Sequence, residues 1–169
     1  DIRRVAQSGA SVAHCPAVFS RRGLTLESFD RYLAEGVNMS IGTDSYPQDI
    51  VDELKYASIA CKVTDRSPEA GKARDVFNAA TLGGAKALRR DDLGRLAPGA
   101  KADIVLVDFD NMRIGPFLDP IKALIHCANG DLVDRVIVNG RTVVADRKVL
   151  AWDEQELTAA VRRSSDNAW

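Results

Sequence analysis

Cysteine, histidine and long apolar runs are all scarce in this chain, and each shortage closes off a class of protein. The three cysteines among 169 residues (Cys15, Cys61 and Cys127) are odd in number and widely separated. That spacing excludes a disulfide framework and a structural zinc site with paired cysteine ligands, and it reads as buried thiols in a reducing cytoplasm. Two histidines, His14 and His126, are too few for a self-contained catalytic zinc centre, which takes at least three protein ligands and keeps one position open. No charge of one sign prevails, because 23 Lys and Arg stand against 24 Asp and Glu. Neither a nucleic-acid footprint nor a membrane-surface patch is expected. Apolar stretches such as 104–107 are far too short to cross a bilayer.

What is present is ordinary globular material, 46% hydrophobic and 28% charged, organised around one stretch. Val37, Met39 and Ile41 alternate as in a buried strand, which leaves through Gly42 and Thr43 and delivers Asp44 at its carboxyl end. An acid in that place, followed by a loop and a helix, is where α/β barrels put catalytic groups. The same residue also suits a cap for the next helix, and the local pattern leaves both readings open.

In chain order, residues 2–8 read as the end of a helix stopped by Gly9, and 10–15 as a short strand broken by Pro16. A loop over 17–23 carries Arg21 and Arg22. Thr25 is the expected N-cap of a helix with Leu26, Phe29 and Leu33 on one face, and Gly36 ends it. After the central strand, Asp49 caps a helix with Ile50, Leu54, Ala57 and Cys61 at helical spacing. Asp49, Asp52 and Glu53 read as first-turn acids favoured by its dipole. A third helix, about 73–89, presents small residues including Gly83 and Gly84, which implies close approach to another element. Strand, helix, strand, helix implies parallel strands.

From about Leu93 the texture becomes all-β. Strands are expected at 102–108, 123–127, 133–138, 142–145 and 149–152. Asn139-Gly140 marks a hairpin, since both central residues of that turn need positive φ. Asp153 caps a closing helix, and Trp152 and Trp169 read as packing and tail residues. The expected divisions are 1–92, 93–152 and 153–169.

These residues resemble a known family. Ser11-Val12-Ala13-His14-Cys15-Pro16, followed by Gly36-Val37 into Ile41-Gly42-Thr43-Asp44, is similar to the last two barrel strands of the amidohydrolase superfamily, closest to its deaminase and chlorohydrolase branch. Ala79-Ala80-Thr81-Leu82-Gly83-Gly84-Ala85-Lys86-Ala87-Leu88 resembles the helix that follows that barrel. Gly94-Arg95-Leu96-Ala97-Pro98-Gly99-Ala100-Lys101-Ala102-Asp103 and Val136-Ile137-Val138-Asn139-Gly140-Arg141 resemble its return to a flanking β-sandwich.

The resemblance implies an α/β fold: the final strands and helices of a (β/α)8 barrel, part of a β-sandwich and a C-terminal helix. It implies a metal-dependent hydrolase acting on a C–N or C–Cl bond of a nitrogen heterocycle, with deamination the expected reaction. The cofactor would be one divalent metal, zinc with iron as the alternative. Asp44 matches the eighth-strand acid that ligates the metal and carries the proton. His14 matches the seventh-strand segment that lines the pocket, where it either meets substrate or forms the wall. Tyr46 and Arg21 are further substrate-binding candidates, set against a rim-packing aromatic and a solvated loop charge.

There are two departures. Ala17-Val18-Phe19-Ser20 stand where relatives carry Ser-Asn, which removes a polar substrate contact. The family's His-x-His pair is also absent, so Asp44 would be one ligand of a set completed elsewhere. The sequence opens at Asp1 inside a helix end, without an initiator Met or signal sequence. It therefore reads as the later portion of a longer enzyme, inert alone, that oligomerises or associates with the missing N-terminal half. The alternative is a non-enzymatic binding scaffold or inert fragment without the metal site.

Overall fold

The computed structural model describes residues 1–166; Trp169 lies outside them. Helix α1 (Ile2–Ser8) stops at Gly9, whose φ of 69° is left-handed, and strand β1 (Ser11–His14) follows. Pro16 does more than break that strand. It opens a one-turn helix, α2 (Pro16–Ser20), where a loop is expected from the sequence. A proline at the first helical position loses no hydrogen bond and has φ already set.

Helix α3 (Phe29–Ala34) begins later than expected. Ser28, not Thr25, is its cap: Ser28 Oγ accepts the Arg31 N–H at 3.3 Å and donates to Asp65 Oδ2 at 2.8 Å. Strand β2 (Asn38–Ile41) pairs in parallel with β1, from Ser11 opposite Asn38 to His14 opposite Ile41. Helix α4 (Ile50–Asp65) is capped by Asp49, as its sequence implies.

The expected single helix over 73–89 is α5 (Ala73–Asn78), a π-helical turn (Ala79–Gly83) and α6 (Gly84–Ala87). Its small-residue face has a direct cause. A Cβ on Gly83 would run into the backbone carbonyl of Met39, so this helical path lies against β2 at backbone distance.

Helices α3, α4 and α5 cover one face of the parallel pair. Phe29, Val37, Met39, Leu54, Ala57, Val76 and Ile125 form the core there. Full burial of each larger side chain contributes roughly 1.5–3 kcal/mol.

Beyond residue 93, strands β3 (Ile104–Val107), β4 (Val133–Val138), β5 (Arg141–Ala145) and β6 (Lys148–Val149) form an antiparallel sheet in that order. Asn139 and Gly140 turn between β4 and β5 with φ of 49° and 80°. Of the expected strand over 149–152, only Val149 lies within β6, with the Leu150 N–H still donating to the Val143 carbonyl at 2.9 Å, and Trp152 is 66% exposed instead of packed.

The expected strand over 123–127 is a helix, α7 (Pro120–Cys127). Asp119 caps it, accepting from Ile121 and Lys122 at 2.9 and 3.1 Å, and Pro120 stands at its first position. With Asp-Pro as a start signal, Ile121 and Ile125 repeat at helical spacing and carry Ile125 into the first core. Ala123, Ala128, Leu132, Ile114 and Val51 make a second core.

Helix α8 (Glu154–Asp166) closes the described chain with no buried residue. Asp153 caps it, as expected, accepting from Gln155 and Glu156 at 2.9 Å. Among the described residues no helix is long and apolar enough to cross a membrane.

Candidate active site

The carboxyl ends of β1 and β2 lie side by side because the two strands are parallel and in register. The Gly42 N–H donates to the His14 carbonyl at 3.0 Å, extending the pairing one residue past β2. Two residues later Asp44 leaves the strand direction with φ 57°. That left-handed conformation is uncommon for a residue with a Cβ, although Asp tolerates it better than most. It places an exposed carboxylate at the strand end.

Cys15, at the end of β1, is beside it. Burial pushes the Cys15 thiol up, the carboxylates of Asp44 and Glu53 push it further, and the Asp44 backbone amide pulls the other way. Two elements distant in sequence thus meet at this rim.

His14 is the other strand-end residue, and it is 6% exposed. Its ring centroid lies 6.0 Å from that of Phe29, a member of the first core. Burial lowers its pKa to about 4, so the imidazole is neutral at physiological pH.

Arg21 and Tyr46 come together although 25 residues separate them. The Arg21 guanidinium donates to the Tyr46 carbonyl and lies 4.5 Å from the centroid of the Tyr46 ring, a cation–π arrangement. Tyr46 is 68% exposed, so this pair straps the loop after β2 to the end of α2 on the open side of the rim.

Glu53 is the residue that sequence reasoning undervalued. It lies in the first turn of α4, as its pattern implies, but it is 1% exposed. Its Oε2 accepts the Ala17 N–H at 3.1 Å. Burial raises the Glu53 pKa, while the Ala17 amide and then the Arg21 charge act against that rise. The available signal was its place on the stripe that buries Leu54, Ala57 and Cys61.

His126 does not join this rim. It sits on α7, where burial and then the charges of Lys62, Lys122 and Lys55 lower its pKa. With His14 turned into the core, Asp44 is the one exposed oxygen ligand at the strand ends among the described residues. A hard carboxylate oxygen there suits a divalent cation, and the count falls short of the three protein ligands a catalytic site needs. The residues present therefore fit one corner of a metal site.

The sequence model of the amidohydrolase family matches residues 1–143. This chain belongs to that family. The amidohydrolase chain is 37% identical over 161 residues to a 5-methylthioadenosine/S-adenosylhomocysteine deaminase of Pyrococcus abyssi, a match covering 93% of this chain and 38% of that protein. It is 34% identical to a 5'-deoxyadenosine deaminase of Methanosarcina barkeri, over 98% of this chain and 39% of that one. Among solved structures, an adenosine deaminase of Xanthomonas campestris with bound zinc superposes with a TM-score of 0.92 at 30% identity, covering 98% and 39% of the two chains. An atrazine chlorohydrolase of Arthrobacter aurescens complexed with zinc superposes at 0.86 and 29% identity, over 96% and 37%. The chain thus spans about two fifths of the length of these relatives.

Proposed function

We propose that this amidohydrolase chain is the C-terminal part of a metal-dependent deaminase that releases ammonia from an adenosine-type nucleoside. The observation that carries the reading is Asp44, exposed at the end of β2, in a chain whose relatives at 37% and 34% identity are named as nucleoside deaminases. Deamination is favoured over dechlorination because the sequence relatives at 37% and 34% identity are both named as deaminases.

In this reading β1 and β2 are the last two strands of a (β/α)8 barrel within residues 1–92. Residues 93–152 contribute to a β-sandwich, and a terminal division beginning at Asp153 carries α8 (Glu154–Asp166). Asp44 is one ligand of a divalent metal, zinc before iron, whose other ligands lie outside this chain. The zinc in two solved relatives supports that choice. Such a cation, when bound, acidifies water towards a pKa of about 7 and polarises the bond under attack. The Asp44 carboxylate then takes the proton from the attacking water and delivers it to the departing amine nitrogen, a transfer worth ~10²–10⁴ in rate.

Arg21 and Tyr46 flank the substrate entrance, where a cation and an aromatic ring suit a ring heterocycle. His14, buried and neutral, lines the wall behind them. The exposed Val105, Leu106 and Val138 and the open edges of the parallel pair support association with the N-terminal part of the enzyme. The free thiols of all three cysteines support a cytoplasmic setting.

The experiment is ammonia release by the full-length protein from adenosine, 5'-deoxyadenosine and 5'-methylthioadenosine. Turnover of at least one is expected. A correctly folded, zinc-loaded protein that turns over none of them contradicts the reading and leaves the non-enzymatic scaffold in its place.

A further inference from the structure

Asp44 stands on a loop that its own backbone does little to hold. Residues 43–48 make no backbone–backbone hydrogen bond among the described residues, and residues 44–48 are all exposed. The loop is fixed at its two ends. At one, the Gly42 N–H donates to the His14 carbonyl at 3.0 Å; at the other, Asp49 caps α4. A segment with exposed backbone and few buried contacts opens locally at small cost. A carboxylate that moves a proton needs a fixed place, since a misplacement of about 1 Å can cost on the order of 100-fold in rate.

The middle of the loop is tied through Tyr46. The Arg21 guanidinium donates to the Tyr46 carbonyl and lies 4.5 Å from the centroid of its ring. Both contacts fall on one residue, two positions past Asp44. The other end of the tie is firm, because Pro16, Ala17 and Val18 of α2 are buried and the Arg21 N–H donates to the Ala17 carbonyl at 3.1 Å. The side chain is thus carried out from a helix anchored in the core and grips the loop by a hydrogen bond and a ring face together. Lysine cannot reproduce that grip, because an ammonium has no plane to stack.

We propose that Arg21 is a positioning residue for the reaction: by clamping Tyr46 it holds the loop in the place from which the Asp44 carboxylate moves its proton. The proposal rests on the reading of Asp44 as the reactive acid. It separates Arg21 from substrate recognition, because a residue that only binds substrate governs KM, whereas one that places the acid governs kcat.

The test uses the full-length, zinc-loaded protein with Arg21→Ala, Arg21→Lys and, as control, Arg22→Ala at the neighbouring exposed charge. Arg21→Ala is expected to lower kcat about 10- to 100-fold, with KM within about 2-fold of wild type. Arg21→Lys is expected to fall with it, within about 3-fold, and Arg22→Ala to match wild type. The unfolding midpoint of Arg21→Ala is expected to equal that of wild type, because an exposed pair contributes little to global stability.

A second readout is independent of turnover. In fluorotyrosine-labelled protein the Tyr46 fluorine resonance is assigned by its disappearance in Tyr46→Phe. Arg21→Ala and Arg21→Lys are expected to move it to the position of a solvated tyrosine and to narrow it, and Arg22→Ala to leave it in place. An unchanged Tyr46 resonance in Arg21→Ala overturns the proposal, as does wild-type kcat in Arg21→Lys. A loss confined to KM also overturns it, because Arg21 would then be a substrate contact, and a lowered midpoint does so by making Arg21 a structural anchor. Should the wild type prove inactive on nucleosides, the deaminase reading fails, and the resonance still decides whether Arg21 holds this loop.

Discussion

Asp49 Oδ2 accepts the backbone N–H of Gly130 at 2.8 Å, 81 residues along the chain, while its Oδ1 accepts from Val51 and Asp52 at the start of α4. One carboxylate therefore caps the helix that follows the candidate active-site loop and ties to it the turn that enters the antiparallel sheet. Asp49→Ala removes both. The cap is worth about 1 kcal/mol and a charge-assisted hydrogen bond about 1.5–3 kcal/mol, so urea denaturation of the full-length protein is expected to register a loss of roughly 2–4 kcal/mol. Asp153→Ala, which uncaps a helix with no buried residue, is expected to cost ~1 kcal/mol or less.

Gly83 and Gly84 are neighbours with opposite surroundings. A Cβ at 83 collides with the Met39 carbonyl, whereas a Cβ at 84 meets nothing within 4 Å. Gly83→Ala must push the helical path off β2, and such overpacking is expected to cost about 1–3 kcal/mol or more. Gly84→Ala relieves only the entropy of a helical glycine and is expected to stabilise by up to about 1 kcal/mol. Paired thermal melts of the two variants check this.

His14 supplies a pH dependence whose sign is fixed by its burial. Its folded pKa is lowered from 6.5 to about 4, so between those values the unfolded chain binds more protons than the folded one. Its contribution is complete above pH 6.5 and is lost as pH falls through about 4, at ~1.4 kcal/mol per pKa unit and so ~3 kcal/mol in all. In urea titrations at pH 7 and pH 4.5, His14→Gln is expected to flatten this part of the wild-type pH profile.

The thiol of Cys15 reports on Asp44 without any turnover. Burial and then the Asp44 carboxylate keep that thiol protonated, and alkylation requires the thiolate. Asp44→Asn is expected to speed iodoacetamide labelling of Cys15 at pH 8, measured by peptide mass mapping. The rates at Cys61 and Cys127 are expected to stay unchanged.

Much of this was legible in the sequence, and the rest has physical reasons. Strand β2 carries strict alternation, and Asp49 and Asp153 carry the side chain that a cap needs, so these were readable. The Asn139-Gly140 turn was readable because few other residues take two positive φ values in succession. Helix α7 was not. Ala123 to Cys127 is a short apolar run that suits a strand equally well, and the deciding signal was the Asp119-Pro120 start just upstream. The cap at Ser28 lost out to Thr25 because both have hydroxyls, and only the Asp65 partner 37 residues away distinguishes them. At the rim, Asp44 was marked by its place after a buried strand. The Arg21–Tyr46 strap and the burial of Glu53 depend on how α2 and α4 meet, and no local pattern encodes that.

The central claim is that the Asp44 carboxylate carries the proton of the hydrolytic step. Its most direct test is the rate of ammonia release by full-length Asp44→Asn beside wild type on the same nucleoside. The account predicts a fall of at least ~100-fold with the folded state intact by circular dichroism. Undiminished ammonia release by the variant would contradict it.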